Sequence, residues 1–170
     1  MTELASPGQL RAALLRWTLF LSPLLLMLGF FSGAAAGSGE GNIWFYGLTK
    51  PSLYPPPAAF GIVWSILYLV MGLALAMVIT ARGASGRGLA IGLFAVQFVL
   101  NMAWSPMFFG MENLSGGLLL LLVIDVAVIL TLWAFHRIRP LAAGLLLPYL
   151  AWVLFATLLN WQFVAANPGA

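Results

Sequence analysis

Cysteine is absent from this 170-residue sequence, and charged residues make up only 6% of it. Without cysteine the chain can form no disulfide, thiolate metal site or palmitoyl anchor, although its redox compartment stays undecided. Its single histidine, His136, ends an apolar segment, and no second histidine exists to complete a metal site. With four acidic residues, neither an activated nucleophile with its base nor a carboxylate pair is visible. We therefore expect no metal, no obligatory cofactor and no acid–base enzyme.

Apolar residues, 63% of the chain, are what is present instead. They form five segments long enough to cross a bilayer: residues 12–36, 58–81, 88–109, 115–135 and 141–164. At ~1.5 Å of rise per residue each segment spans a hydrocarbon core of about 30 Å as a helix. None shows the alternation of a barrel strand. The sequence predicts an all-α membrane protein, a single five-transmembrane-helix bundle over residues 1–170.

Basic residues collect at one set of joints between these segments. Six arginines lie in the amino-terminal tail and the second and fourth loops: Arg11, Arg16, Arg82, Arg87, Arg137 and Arg139. Glu3 is the one acid there, and the opposite side has only Lys50 as a basic residue. The positive-inside rule predicts a cytoplasmic amino terminus, with the carboxyl terminus and the long first loop outside. The arginines indicate contact with anionic lipid head groups rather than nucleic acid. The alternative for the first segment is a secretory signal ending at the alanines 34–36.

The loop at residues 37–57 is much longer than the other three. Its aromatic residues, Phe45 and Tyr46 among them, suit a pocket or an interface, and prolines 55–57 stiffen the entry to the second segment. A connection of this length predicts a structured lid. An aromatic belt resting at head-group depth is the alternative.

The third segment has two different faces when drawn as a helix. Gly88, Gly92, Ala95 and Val99 lie on one side, and Gln97, Asn101, Trp104 and Phe108 lie on the other. The polar face must point into the bundle. The four small or smooth residues therefore predict a homodimer interface, because Gly-x-x-x-Gly spacing lets helices approach closely. Packing inside the same bundle is the alternative. For Gly29 and Gly33, which repeat the spacing on the first segment, we favour packing within the monomer or lining a cavity.

Aromatic residues repeat at helical spacing on three segments and point inward. They include Trp64 and Tyr68 on the second, Trp104 and Phe108 on the third, and Tyr149 and Trp152, followed by Ala156, on the fifth. Aromatic walls with a few polar groups suit a flat apolar ligand, and Asn101, Gln97 or a tyrosine could orient it. Core packing is the alternative. Asp125, the one acid within a membrane segment, serves either as an interhelical hydrogen-bonding group or in proton-linked gating.

Four stretches of the chain resemble the translocator protein / tryptophan-rich sensory protein (TspO/MBR) family. They read GEGxxWxxGLxKPSxxPP at 39–56, FGxVWxxLYxxMG at 60–72, NxxWSPxFFG at 101–110 and LPYLxWxxxATxLN at 147–160. The resemblance implies a five-helix bundle, usually dimeric, that binds porphyrins such as protoporphyrin IX. For mitochondrial members of the family, the resemblance also implies binding of cholesterol and benzodiazepine-type drugs.

The resemblance also implies ligand-contacting positions. Trp64, Asn101, Trp104, Trp152 and Ala156 match positions that line the cavity in relatives. The full expected ligand-binding set is Phe45, Tyr46, Trp64, Tyr68, Gln97, Asn101, Trp104, Phe108, Tyr149, Trp152 and Ala156.

Two departures from the family pattern bear on ligands. In the lid, Phe45 stands where the family has a tyrosine and Leu53 where it has a tryptophan, with Tyr46 supplying a displaced hydroxyl. After Asn160 the chain lacks the tyrosine and basic residue of the proposed cholesterol signature, so sterol binding is not expected. The predicted function is a membrane receptor or sensor for tetrapyrroles. A transporter of porphyrins or other apolar ligands is one alternative, and a light-dependent porphyrin-degrading enzyme using Trp152 is another.

Overall fold

The computed structural model describes residues 6–169, and over that range its regular secondary structure is entirely helical. The elements in order are α1 (Pro7–Ala35), α2 (Ile43–Gly47), α3 (Pro57–Ile79), α4 (Arg87–Ser105), a π-helical turn (Pro106–Gly110), α5 (Leu114–His136) and α6 (Pro140–Ala166). Within the described range five helices are long and apolar enough to cross a membrane, the third of them formed by α4 together with the π turn. The predicted multi-pass five-helix bundle is confirmed. Glu3 lies outside the described residues.

Helix α1 begins earlier than the sequence predicted, at Pro7 instead of residue 12. Ser6 and Gln9 form a capping box: the Gln9 amide donates to Ser6 Oγ at 3.3 Å, and the Ser6 amide donates to Gln9 Oε1 at 2.8 Å. This box and a proline at the first helical position extend the helix beyond its apolar run. The other four spans end within a few residues of their predicted bounds.

Close contact between α1 and α3 depends on small residues. A side chain at Gly72 would collide with the Ser22 backbone, and one at Gly29 would collide with the Tyr68 ring. Ser22 also donates its hydroxyl hydrogen to the Leu69 carbonyl at 2.8 Å. On the other side of the bundle, α5 packs on both α4 and α6, and α6 packs on α3. The five membrane helices thereby enclose a common interior.

A π-helical turn ends the third membrane helix, where the sequence had predicted regular helix. Pro106 has no amide hydrogen, and the Met111 amide donates to the Pro106 carbonyl at 2.8 Å, a bond across five residues. The turn carries Phe108, which is 2% exposed, and its neighbour Phe109. Both rings therefore face the interior at the lid end of the bundle.

The long loop is folded, as predicted, and contains the short helix α2. Asn42 Oδ1 accepts a hydrogen bond from the Phe45 amide at 2.9 Å, which caps α2. Lys50 donates to the Phe45 and Leu48 carbonyls, and its ammonium lies 3.9 Å from the centroid of the Phe45 ring. These contacts order the lid around one buried ring.

Two hydrogen bonds fasten the lid to the end of α6. The Thr49 amide donates to Asn167 Oδ1 at 2.8 Å, and Asn167 Nδ2 donates to the Thr49 carbonyl at 3.1 Å. A single amide side chain thus satisfies both backbone groups of one lid residue. The loop therefore lies across the carboxyl-terminal end of the bundle.

Candidate functional site

A cavity of about 450 Å³ lies beneath the lid, between all five membrane helices. Its walls include the three tryptophans Trp64, Trp104 and Trp152, each from a different helix. A volume of a few hundred Å³ is typical of sites for small organic ligands. Most of the aromatic side chains that face the interior of the described residues line this cavity.

Aromatic pairs build the walls of the cavity. Trp64 stacks on Tyr68 with ring centroids 5.1 Å apart, and Trp104 stacks on Phe108 at 4.8 Å. Trp152 meets the edge of Phe60 at 5.9 Å. Because each ring is held by a partner, the walls present fixed apolar surfaces against which a flat ligand can stack.

The lid contributes the roof through Phe45. This side chain is 3% exposed, and its ring lies 5.1 Å from Phe109 and 5.6 Å from Phe163. Tyr54 lies beside it at 5.9 Å and also lines the cavity. The lid therefore covers the site with aromatic rings, and its Ser38 and Glu40 add polar groups to the lining.

Small residues leave the space that the aromatic residues surround. Gly29 and Gly33 on α1 and Ala156 on α6 all line the cavity. Ala156 lies one turn after Trp152 and one turn before Asn160, so the same face of α6 carries a large, a small and a polar side chain. The glycine pair thus lies inside the monomer, as favoured from its spacing.

Asn101 is the amide of the expected set that lines the cavity. It is 8% exposed, and its Oδ1 accepts a hydrogen bond from the Tyr68 hydroxyl at 3.1 Å. That bond orients the amide, with its oxygen toward the Tyr68 hydroxyl. Asn101 thus places one fixed amide among the aromatic rings of the cavity wall.

Gln97 and Tyr149 point inward but lie below the cavity. Each is 1% exposed, the Tyr149 hydroxyl donates to Gln97 Oε1 at 2.7 Å, and neither residue lines the cavity. The helical period identifies the face of a helix but not the depth at which the interior is open. Both residues belong to the packed core.

Tyr46 is also placed away from the cavity, and it is 78% exposed. The α2 turn directs Phe45 inward, which sends its neighbour outward. The displaced tyrosine hydroxyl of the lid is therefore not a cavity contact.

The sequence analysis quoted Asn160 within a motif but gave it no role, although it lines the cavity and is 2% exposed. Its position four residues after Ala156 on the same helical face was the available signal. Phe60 and Phe163 were missed as well, because they lie at the ends of α3 and α6, where apolar residues have no distinctive pattern.

Electrostatics at the lid reflect partial removal from water. Burial lowers the pKa of Lys50, and the nearby Glu40 carboxylate partly opposes this. Burial raises the pKa of the Tyr54 hydroxyl, and Glu40 acts in the same direction. Desolvation is the larger cause in both cases, so partial burial favours the neutral form of each side chain.

Asp125 lies outside the cavity lining and makes a bond between helices. The Thr157 hydroxyl on α6 donates to Asp125 Oδ2 on α5 at 2.8 Å. This geometry agrees with the interhelical hydrogen-bonding role. Across residues 6–169, no group of three histidine or acidic residues is placed to hold a metal ion.

The predicted dimer face does not pack inside the bundle. Gly88, Gly92, Ala95 and Val99 are all exposed on α4. A Cβ atom built on either glycine would meet no atom of the described chain within 4 Å. The face is therefore available to a partner helix, and the homodimer stays a prediction.

Comparison with known proteins places these features in one family. The model of the TspO/MBR family matches residues 20–165. The human translocator protein is 41% identical over 144 residues, covering 84% of this chain and 85% of its own. The tryptophan-rich protein TspO of Chlorobaculum tepidum is 42% identical over 127 residues, covering 74% of this chain and 80% of its own. The tryptophan-rich sensory protein of Cereibacter sphaeroides is 34% identical over 154 residues, with 89% and 92% covered.

Proposed function

The chain belongs to the TspO/MBR family, and from that premise and its cavity we propose that it is a membrane receptor or sensor that binds a tetrapyrrole such as protoporphyrin IX. The ligand would lie in the cavity under the lid, within the membrane. In this proposal the working unit is a homodimer with one ligand site in each protomer.

The convergence of Trp64, Trp104 and Trp152 on one cavity supports this proposal most strongly. A tetrapyrrole is flat, largely apolar and aromatic, so it gains from stacking and edge contacts with rings that are already fixed. Three separate rings around one space offer such contacts from several sides. Ala156, together with the two α1 glycines, leaves room for the macrocycle.

Binding without coupled transport is favoured by the placement of charge. Secondary transporters carry polar or charged coupling groups on broken helices near the membrane midplane. In this chain the one acid within a membrane segment, Asp125, is bonded to Thr157 and lies outside the cavity lining. The one acid within a membrane segment is therefore separated from the cavity, whose lining includes a carboxylate only at the lid, from Glu40.

A titration with protoporphyrin IX tests the proposal directly. Purified protein in detergent should show saturable quenching of tryptophan fluorescence in the dark, because the ligand lies among the cavity tryptophans. Absence of saturable binding would contradict the proposed function. Illumination of the same samples separates receptor from enzyme. With a receptor, the pigment is lost no faster under light than in protein-free detergent. A degrading enzyme instead bleaches the pigment faster and yields a defined product.

A further inference from the structure

An open groove lies at the end of the bundle opposite the lid, between the end of α3 and the start of α6. Its lining includes four apolar residues and two arginines: Met77, Ala81, Ile138, Leu141, Arg82 and Arg139. None of the described residues that line it is acidic. It shares no lining residue with the cavity under the lid or with the α4 face that we expect to form the dimer. The groove is therefore a separate surface feature, accessible in monomer and dimer alike.

The two arginines of the groove differ from the other two arginines near these loops. Arg87 Nη1 donates to the last carbonyl of α3 at 2.8 Å. The Cζ atom of Arg137 lies 4.9 Å from the centroid of the Trp133 ring, in a cation–π contact. Within residues 6–169, Arg82 and Arg139 make no side-chain hydrogen bond or ion pair, and both are exposed. Their guanidinium groups are therefore available to a ligand from outside the described chain.

The loops that carry these two arginines are held by backbone hydrogen bonds. The Arg82 amide donates to the Thr80 carbonyl at 2.9 Å, and the Arg139 amide donates to the Phe135 carbonyl at 2.7 Å. Helix α3 packs on α6, so the two loops are neighbours across one seam between helices. The groove thus carries two positive side chains on ordered backbone.

Apolar side chains continue the groove toward the hydrocarbon. Met77 is 7% exposed and forms part of the floor, whereas Leu141 is 67% exposed at the second position of α6. Met77 lies five residues before Arg82, which places the floor deeper in the membrane than the guanidinium group. An occupant of the groove therefore meets positive charge at head-group depth and apolar surface on the hydrocarbon side.

We propose that this groove is a binding site for one anionic phospholipid per protomer, an assignment that does not rest on the tetrapyrrole proposal. The lipid phosphate accepts hydrogen bonds from the guanidinium groups of Arg82 and Arg139, and an acyl chain lies along Leu141. Charge complementarity selects this occupant, because guanidinium matches phosphate geometry and a zwitterionic lipid brings its own cation against two arginines. A diffuse collar of arginines attracts anionic lipids at every position, whereas the groove predicts one site of higher affinity.

Native mass spectrometry of the detergent-solubilised protein, titrated with phosphatidylglycerol or with phosphatidylcholine of the same acyl chains, tests the site. The first phosphatidylglycerol should bind about 5- to 30-fold more tightly than the first phosphatidylcholine, since each basic residue at a membrane surface contributes about a factor of five. The double variant Arg82→Gln/Arg139→Gln should lose most of this preference. Arg11→Gln/Arg16→Gln removes the same charge from exposed positions of α1 outside the groove, so this matched control should keep it.

A competition experiment separates a lipid from a soluble phosphate compound as the occupant. Glycerophosphoglycerol, the same head group without acyl chains, should not displace bound phosphatidylglycerol at equal concentration, because it gains nothing from the apolar floor. Displacement would identify a site for soluble phosphodiesters and overturn the lipid assignment.

Three further results would overturn the site. Equal affinities for the two lipids in wild type would show that no charge selection exists. An unchanged preference in Arg82→Gln/Arg139→Gln would place the lipid elsewhere. An equal loss in both double variants would show diffuse attraction by the arginines of this end. The ratio of the two lipid affinities within each variant cancels general effects on stability.

Discussion

At the scale of single residues, Ala156 leaves space in the cavity wall that a larger side chain would fill. It lines the cavity between Trp152 and Asn160 on the same face of α6. Replacing it with phenylalanine adds a ring where the ligand would lie. We expect Ala156→Phe to weaken protoporphyrin binding by at least about tenfold, since overfilling a packed site costs ~1–3 kcal/mol or more.

The matched control for this substitution is Ala151→Phe. Ala151 is exposed on the outer surface of α6, where an additional ring meets lipid. Fluorescence titration should give near wild-type affinity for Ala151→Phe and a strong loss for Ala156→Phe. Equal affinity in both variants would place the ligand outside this cavity.

Trp152 offers a second test on the same helix. Its ring packs against Phe60 and Phe155 and lines the cavity. Trp152→Phe should weaken porphyrin binding by roughly 1–3 kcal/mol, the range for trimming an aromatic contact in an apolar site. Trp161→Phe, at a position 54% exposed on α6, is the control and should leave the dissociation constant unchanged. A loss of the same size in both variants would argue against a specific stacking role.

Residue-scale prediction from the sequence depended on whether a helical period was available. The period placed Trp64, Trp104 and Trp152 on inward faces, and the structure puts all three on the cavity wall. It could not give depth, which is why Gln97 and Tyr149 were assigned to the ligand although they bond to each other in the core. For adjacent lid residues only the α2 turn decides which one points inward, and the sequence does not show that turn.

At the scale of elements, hydropathy determined the membrane helices because an unpaired backbone in lipid is too costly for any other form. Features that depend on a few specific hydrogen bonds were harder to predict. The start of α1 depends on the Ser6–Gln9 capping box, which lies outside the apolar run. The π turn follows from one missing amide at Pro106, and a period of 3.6 residues contains no information on it.

The lid is an element whose motion can be tested. Asn167 holds both backbone groups of Thr49, so Asn167→Ala should release the lid from α6. We expect faster amide hydrogen exchange in residues 43–54 of the variant, and slower exchange in the same residues of wild type when protoporphyrin IX is bound. The loop at residues 80–86, on the opposite side of the bundle, is the internal reference and should not change. Identical lid exchange in all three samples would show an aromatic belt that does not close the site.

The exposed face of α4 is the element that we expect to form the dimer. Gly92 has no neighbour within 4 Å of an added Cβ, and Gly88 and Ala95 share its surface. A leucine at Gly92 would hold two helices apart, so Gly92→Leu should convert a detergent-solubilised dimer to a monomer in light scattering. Porphyrin binding should persist because the cavity opens on the other face. Gly144→Leu, on the exposed side of α6, should stay dimeric, and a dimeric mass for Gly92→Leu would rule out this interface.

At the scale of the whole molecule, the two ends of the bundle differ in chemistry. The end that carries the lid has the aromatic roof, the cavity and the bond from Asn167 to the loop. The other end has two short loops, at residues 80–86 and 137–139, and most of the arginines, including Arg82, Arg87 and Arg139. The molecule is therefore asymmetric along the membrane normal, with the candidate cavity at one end and most of the positive charge at the other.

This asymmetry predicts the orientation of the protein in its membrane. Basic flanks of short loops remain on the cytoplasmic side, so the arginine end should face inward and the lid outward. Because the chain has no cysteine, Ser52→Cys in the lid and Ser85→Cys beside Arg82 each introduce one exposed thiol. A membrane-impermeant maleimide should label Ser52→Cys in intact cells and Ser85→Cys only after permeabilisation. The reverse pattern would show that the lid and its cavity open toward the cytoplasm, and the ligand would then have to arrive from inside the cell.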